Sequence, residues 1–312
     1  GIEVLSNAQI NALTSDQVGV ITTDQVVALT TGQVASLTTD QIRALTSDQL
    51  PNIETQDIIW LSGNQLNALT SDQLSFLTSD QFKALLPSQI AKFSTDAVSG
   101  FSQGLISALS TDQSRALTTN QLAALNSDQV VSFATDAVKT FTDTQMKGLT
   151  TLFISSLKNE QVKVLTTDQL NGLSSELLTN LTTQQVKYLS TDQLSALGTK
   201  QLVAMTTDQL SALTVDQFKT ITTAQLAVIS AERMGTLPYS TTSGMTTAQI
   251  ASLNSAQLAG LTTEQVSTLT TDQVSNIVST SIKFIETADL VAMTTVQIES
   301  LTIDQVKSLT TI

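Results

Sequence analysis

The sequence predicts an all-α fold, an α-solenoid or superhelix of very short helices with one helix in each eight-residue repeat. A large apolar residue stands at every eighth position from Leu5 to Leu309. A second apolar phase, from Ile2 to Val306, is apolar at 37 of its 39 positions. Residues typical of helix starts recur at a fixed place between the two phases. A period that continues through the whole chain indicates one structural unit copied end to end.

A continuous helix cannot carry this repeat. The consensus octad is represented by residues 37–44, Leu-Thr-Thr-Asp-Gln-Ile-Arg-Ala. Eight residues at about 100° each would turn the apolar pair by about 80° from one repeat to the next. The helix must therefore break once in every octad.

Each octad also carries a signal for a new helix start. Ser, Thr or Asn follows the invariant apolar residue at 31 of 39 positions, and Gln stands three residues later at 28 of 39. This spacing is the capping box, and the apolar residues on either side form a hydrophobic staple. Asp in the first turn and Lys or Arg near the end of the octad suit the helix dipole.

Irregular places test this interpretation. Pro87 falls at the first helical position, where a missing N–H costs nothing. Pro51 lies inside its helix, so we expect a distortion from Leu50 to Ile58. The least regular segment, 233–245, has Pro238 at a cap and Thr242 in the second apolar phase, which predicts a protruding loop or an offset. Since no linker interrupts the octads, we expect residues 1–312 to form a single elongated domain.

Two alternatives stay open at this stage. Thr-rich repeats also suit a β-solenoid, although the two apolar phases are five residues apart and would need a corner inside each octad. The Gln position is replaced at intervals of 40 residues, at Asp57, Ala97, Ala137 and Leu177. This interval indicates either five octads in each superhelical turn or the duplication of a 40-residue block.

Composition excludes several classes of function. The net charge of −13 opposes binding to nucleic acid, and no apolar run approaches the roughly 18 residues that membrane insertion needs. Cysteine and histidine are absent, so thiol nucleophiles, imidazole bases and the usual zinc ligands are missing. We expect no enzyme, no catalytic residues, no cofactor and no metal site. A ladder of Asp residues is an alternative Ca²⁺ site, but one carboxylate in each octad favours helix capping.

Four aromatic residues break a rule of the repeat. The position before the invariant apolar residue is mostly small, but it holds Trp60, Phe76, Tyr188 and Phe284. As candidate interaction residues they would anchor a protein or glycan partner. The structural alternative is that they cover a groove or stack on neighbouring coils.

The octads, such as Leu13-Thr14-Ser15-Asp16-Gln17-Val18, resemble the LTTDQVAAL-type octapeptide-repeat tracts of large bacterial secreted or surface proteins. The resemblance implies an extracellular or cell-surface structural protein: a stalk, a spacer or a filament-forming scaffold. Neither end of the sequence shows a polar capping repeat, so we expect self-association, end to end or lateral. The alternative is an adhesin-like solenoid that binds a protein, peptide or glycan.

Overall fold

A computed structural model of the protein describes residues 1–309. Within this range it contains 37 α-helices of four to seven residues, two 3-10 helices and no strand. The prediction of an α-solenoid is confirmed, and the β-solenoid alternative is wrong. The chain divides into two compact units, Gly1–Val164 and Leu165–Ile312. The octad phase runs through residue 164 without a break, so the sequence gives no sign of this division, and the single elongated domain stays a prediction.

The first unit holds η1, η2 and the helices α1 to α19. Their bounds are η1 Ile2–Val4, α1 Asn7–Asn11, α2 Ser15–Gly19, α3 Thr23–Val27, α4 Thr31–Ser36, α5 Thr39–Ala44, η2 Leu50–Asn52, α6 Thr55–Ile58, α7 Gly63–Ala68, α8 Ser71–Phe76, α9 Ser79–Ala84, α10 Pro87–Ile90, α11 Thr95–Ser99, α12 Gln103–Ala108, α13 Thr111–Ala116, α14 Thr119–Ala123, α15 Ser127–Val130, α16 Thr135–Lys139, α17 Asp143–Lys147, α18 Thr151–Ser156 and α19 Asn159–Lys163.

The second unit holds the remaining helices. Their bounds are α20 Thr167–Gly172, α21 Ser175–Thr179, α22 Thr183–Lys187, α23 Thr191–Ser195, α24 Thr199–Ala204, α25 Thr207–Ser211, α26 Val215–Lys219, α27 Thr223–Leu226, α28 Ala231–Gly235, α29 Tyr239–Ser243, α30 Thr247–Ala251, α31 Ser255–Ala259, α32 Thr263–Ser267, α33 Thr271–Ser275, α34 Ser279–Ile282, α35 Thr287–Ala292, α36 Thr295–Glu299 and α37 Ile303–Leu309.

The capping box starts the helices as predicted. At α5, the Thr38 hydroxyl accepts a hydrogen bond from the Gln41 backbone N–H at 3.2 Å. The Gln41 side-chain oxygen accepts one from the Thr38 N–H at 2.8 Å. Both apolar phases are buried beside this box, with Leu37 5% and Ile42 0% exposed. Helices this short are unstable alone in water, so packing between octads must hold them in place.

Helices three elements apart pack against each other, for example α2 against α5 and α10 against α13 in the first unit, and α32 against α35 in the second. Successive turns of the solenoid are called coils below. Side-chain hydrogen bonds between neighbouring coils span 28 and 31 residues, as from Gln41 to Leu13 and Ile10. These separations are between three and four octads. The interpretation of five octads in each turn is therefore wrong, because the 40-residue interval is longer than any of these contacts.

Two prolines behave as the sequence predicts. Pro87 is the first residue of α10. Around Pro51 the α-helix is replaced by the 3-10 helix η2, and α6 is only four residues long. The distortion between Leu50 and Ile58 is confirmed, because proline lacks the N–H that an α-helix would use there.

The loop or offset predicted for 233–245 is wrong, because α28 and α29 continue the octads through this segment. Hydrogen bonds compensate for two of the unusual residues. Arg233 stands at a Gln position and its guanidinium donates to the carbonyl oxygens of Val203 and Met205, at 3.2 and 2.8 Å. Thr242 is fully buried, and its hydroxyl donates to the carbonyl of Tyr239 at 2.9 Å.

Pro238 and the nearby glycines also fit the helical path. Pro238 is the N-cap of α29, where regular octads use the N–H to bind Gln. Thr241 replaces that Gln, so the missing proline N–H is not needed. A Cβ on Gly244 would lie 2.3 Å from the Val215 side chain, and one on Gly235 would lie 2.6 Å from a backbone carbonyl. Glycine here permits close approach between coils.

Candidate functional site

The most frequent polar group of the interior is the glutamine amide of each octad. Gln41 is 1% exposed. Its Nε2 donates to the carbonyl oxygens of Ile10 and Leu13, both at 2.8 Å, while its oxygen holds the cap of α5. One amide therefore starts its own helix and joins it to the preceding coil.

This double role recurs in both units. In the second unit, Gln257 donates to Leu226 and Ile229, both at 2.8 Å, and its oxygen accepts from the Asn254 N–H. A buried amide with donor and acceptor both used avoids the cost of an unpaired polar group. These hydrogen bonds form the junction between two coils. At each such junction, glutamine amides of one coil donate to backbone carbonyl oxygens of the preceding coil.

The sequence pattern by itself predicts only a capping role for this glutamine. A signal for the second role was nevertheless present, because Glu also completes a capping box, yet no octad carries Glu at this position. The amide N–H₂ is what a carboxylate cannot supply. The preference for Gln thus points to a buried donor that bridges coils.

Arg233 and two aspartates replace the glutamine with groups that carry charge. Burial lowers the pKa of the Arg233 guanidinium, and its Nε has no hydrogen-bond partner. Asp57 and Asp289 are each 3% exposed, and their carboxylates accept from the hydroxyls of Thr31 and Thr263, respectively. Oδ2 of Asp289 has no partner.

The aspartates of the first turn form a different, exposed group. Asp40, Asp216 and Asp304 have side chains at least 77% exposed and lie near Lys or Arg three residues later. Such surface ion pairs contribute about 0–1 kcal/mol each. Among residues 1–309, no group of three or more His, Cys, Asp or Glu side chains is placed to hold a metal ion.

All four aromatic candidates are exposed. Trp60 is 61%, Phe76 37%, Tyr188 40% and Phe284 45% exposed. Lys283 lies over the Phe284 ring at 5.3 Å. In the first unit, the described ring contacts join buried phenylalanines instead, such as Phe82 with Phe101 at 5.1 Å. The structure therefore exposes the four aromatics without stacking them on each other, and their role in interaction stays a prediction.

One further aromatic residue is exposed that the repeat pattern does not indicate. Tyr239 is 51% exposed at the first position of α29. It falls outside the repeat position that was used to select the other four, so the rule that found them could not find it. Any mapping of interaction residues in the second unit should include Tyr239.

The surface of residues 1–309 includes two open hollows that could be considered as binding sites. One of about 420 Å³ in the first unit is lined mainly by apolar residues and by the amides of Gln17 and Gln25. One of about 340 Å³ in the second unit is lined by Ser175, Thr199, Lys200, Val203 and Val228. The Ser and Thr hydroxyls there have no imidazole base, because the chain has no histidine. Neither hollow assembles a recognisable nucleophile and base.

Short capped helices, an apolar interior in each unit and a repeated junction between coils define the class: an α-solenoid repeat protein. None of the helices within residues 1–309 combines the length and hydrophobicity that crossing a bilayer requires. The class agrees with what the chain resembles when compared with known proteins.

The model of the ALTTAQ repeat family matches the chain in nine overlapping or separate segments: residues 2–31, 27–52, 50–87, 106–135, 162–199, 178–207, 186–223, 243–277 and 282–311. Together these cover well over half of the sequence. The chain belongs to the ALTTAQ repeat family. No curated protein sequence matches it.

Proposed function

We propose that the protein is a non-enzymatic structural scaffold, a stalk or spacer of the extracellular space or cell surface that self-associates through its coils. The observation that carries the proposal is the repeated junction of glutamine amides and backbone carbonyls. Its chemistry is the same at each regular octad. Such a repeat suits a protein that needs to be extended more than one that needs a single specialised pocket. The extracellular setting follows from the resemblance of the octads to bacterial surface repeat tracts.

The polarity of the junction supports self-association of the 1–312 chain. A coil whose glutamine amides face no other coil is able to bind the backbone carbonyls of a coil from a second chain. The hydrogen bonds would be the same as those that join coils within one chain. On the first coil, Gln9, Gln17 and Gln25 are exposed. Their oxygens hold helix caps, and within the described residues their Nε2 atoms contact no carbonyl of another coil.

The test is sedimentation velocity of the 1–312 chain over a range of concentrations, with electron microscopy of the same samples. We expect the mean mass to rise with concentration. A variant with Gln9→Glu, Gln17→Glu and Gln25→Glu keeps the cap acceptors but loses the donors, so it should remain monomeric. Asp16→Asn with Asp24→Asn serves as a control that also changes surface charge. A wild-type chain that stays monomeric throughout would contradict stacking of coils.

A binding solenoid is the second candidate, and the exposure of Trp60, Phe76, Tyr188 and Phe284 favours it. Exposed aromatic rings provide large contact areas at interfaces. Glycan arrays and immobilised extracellular proteins provide the assay, with alanine variants of the four residues tested one at a time. This function would be supported if alanine variants of the aromatic residues in one unit lose binding to a captured ligand. Alanine variants of the exposed valines Val20 and Val291 should keep that binding.

A further inference from the structure

Two octads, one in each unit, share departures from the consensus that occur nowhere else in the sequence. They read Ile-Glu-Thr-Gln-Asp at 53–57 and Ile-Glu-Thr-Ala-Asp at 285–289. Glu replaces the capping Ser or Thr only in these two octads, and Asp replaces Gln only in these two. The two changes occur together in both places, which indicates one shared local requirement.

The aspartate places an acceptor where the coil junction needs a donor. In the octad after Asp289, Gln297 donates to Leu269 and Val266 at 2.7 and 3.1 Å. By the same register, Asp289 faces the carbonyls of Leu261 and Leu258. A carboxylate has no N–H to offer them. The hydrogen bonds that join two coils at a regular octad therefore cannot form here, because the carboxylate and both carbonyls are acceptors.

The threonine contact satisfies only part of this carboxylate. The Thr263 hydroxyl donates to Oδ1 of Asp289 at 2.8 Å, whereas the buried Oδ2 has no partner. An unpaired buried charge is costly, and a cation or a further donor is what usually compensates it. In the first unit, Asp57 receives the Thr31 hydroxyl in the same way and, by register, faces the carbonyls of Leu29 and Val26.

The ligand set selects the kind of ion. Carboxylate, carbonyl and hydroxyl oxygens are hard ligands, which Ca²⁺ prefers. Aspartate is one methylene shorter than glutamine, so it ends about 1.5 Å farther from the carbonyls. That space suits an ion with oxygen contacts of about 2.3–2.6 Å. Glu286 stands three residues before Asp289 at the cap position, where its side chain makes no cap hydrogen bond.

We propose that the Asp289 carboxylate and the carbonyls of Leu258 and Leu261 bind Ca²⁺, with an equivalent site at Asp57, Val26 and Leu29. These sites differ from the exposed row of first-turn aspartates, and they depart from the sequence expectation of no metal site. The bound ion would take the place of the glutamine amide as the bridge between two coils. Each unit would then carry one calcium-dependent junction among its glutamine-dependent ones.

The experiment is calorimetric titration of the 1–312 chain with CaCl₂, paired with thermal unfolding in CaCl₂ and in EDTA. We expect two ions bound to each chain and a lower melting temperature in EDTA. Asp57→Gln or Asp289→Gln should each remove one ion, and the double variant should bind none and melt equally in both solutions. These variants restore the consensus residue, so they should fold and, in EDTA, melt above the wild-type chain.

The control variant, Asp40→Asn with Asp272→Asn, removes two carboxylates of the exposed row and should retain both ions. Two results would overturn the proposal. One is the absence of calcium binding. The other is binding that persists in the double glutamine variant, which would locate it on the exposed row.

Discussion

At the scale of single residues, the buried glutamine amide is the group on which both helix start and coil packing depend. Its oxygen and nitrogen serve different elements, so substitutions can separate the two roles. Glu keeps the acceptor and removes the donor. The chain also offers a matched pair of positions, since Gln41 is buried at a junction whereas Gln9 is exposed on the first coil.

We predict that Gln41→Glu lowers the free energy of unfolding by about 2–4 kcal/mol at neutral pH, because it buries a carboxylate against the carbonyls of Ile10 and Leu13. Gln9→Glu should change it by less than about 0.5 kcal/mol, since surface changes away from special features are small. Urea unfolding followed by circular dichroism measures both. Equal effects at the two positions would mean that the inter-coil hydrogen bonds contribute nothing.

Ser114 is the residue whose polar group fits its place least well. It occupies the second apolar phase, is 0% exposed, and its hydroxyl has no hydrogen-bond partner. We predict that Ser114→Ala stabilises the chain by about 1 kcal/mol, because it removes an unpaired buried hydroxyl. Ser107→Ala, at an exposed position of α12, is the control and should be close to neutral. A loss of stability in Ser114→Ala, measured by urea unfolding, would show that the hydroxyl is satisfied.

At the scale of elements, most of the short helices begin at a side-chain cap, and two similar octads differ in whether they have one. In α11 the Ser94 hydroxyl accepts from the Ala97 N–H at 3.1 Å. The related octad of α16 has Ala134 at the cap, with no side-chain hydrogen bond. The backbone of both caps is extended, so a serine at position 134 can adopt the geometry of Ser94.

We predict that Ala134→Ser stabilises the chain by about 1 kcal/mol and that Ser94→Ala destabilises it by a similar amount, as expected for an N-cap. Hydrogen exchange of the amides of α16 and α11 is the direct measurement, because it reports local opening of each helix. If Ala134→Ser leaves the exchange of the Ala137 amide unchanged, the cap does not limit the stability of α16.

The elements were the most predictable level of the structure. The Ser/Thr-x-x-Gln spacing located the helix starts, and Pro51 and Pro87 had the predicted effects, because caps and proline act within a few residues. The partners of Gln41 lie 28 and 31 residues away, so no local pattern could supply the number of octads in a coil. The loop or offset predicted for 233–245 is wrong for the same reason, because Arg233 is compensated by carbonyls 28 and 30 residues earlier.

At the scale of the whole molecule, stability should be close to a sum over octads and their junctions, as in other solenoids. For stability, the eight-residue spacing that aligns these junctions is then more important than the number of residues in the chain. Removing one complete octad places the next invariant apolar residue and the next glutamine at the positions just vacated. Removing seven residues moves both apolar phases and the amides by one position along everything that follows.

We predict that deleting residues 189–196 leaves a folded helical chain, since Leu197 and Gln201 then replace Leu189 and Gln193. The melting temperature should change by only a few degrees, about 2–4 °C for each kcal/mol. Deleting residues 189–195 instead should lower the melting temperature of the second unit much more, because the amides of the next coil, such as Gln209, no longer face their carbonyls at Leu178 and Leu181. Circular dichroism melting curves and hydrogen exchange compare the two chains. If both deletions melt alike, the eight-residue register does not specify how coils pair, and apolar content alone would account for the fold.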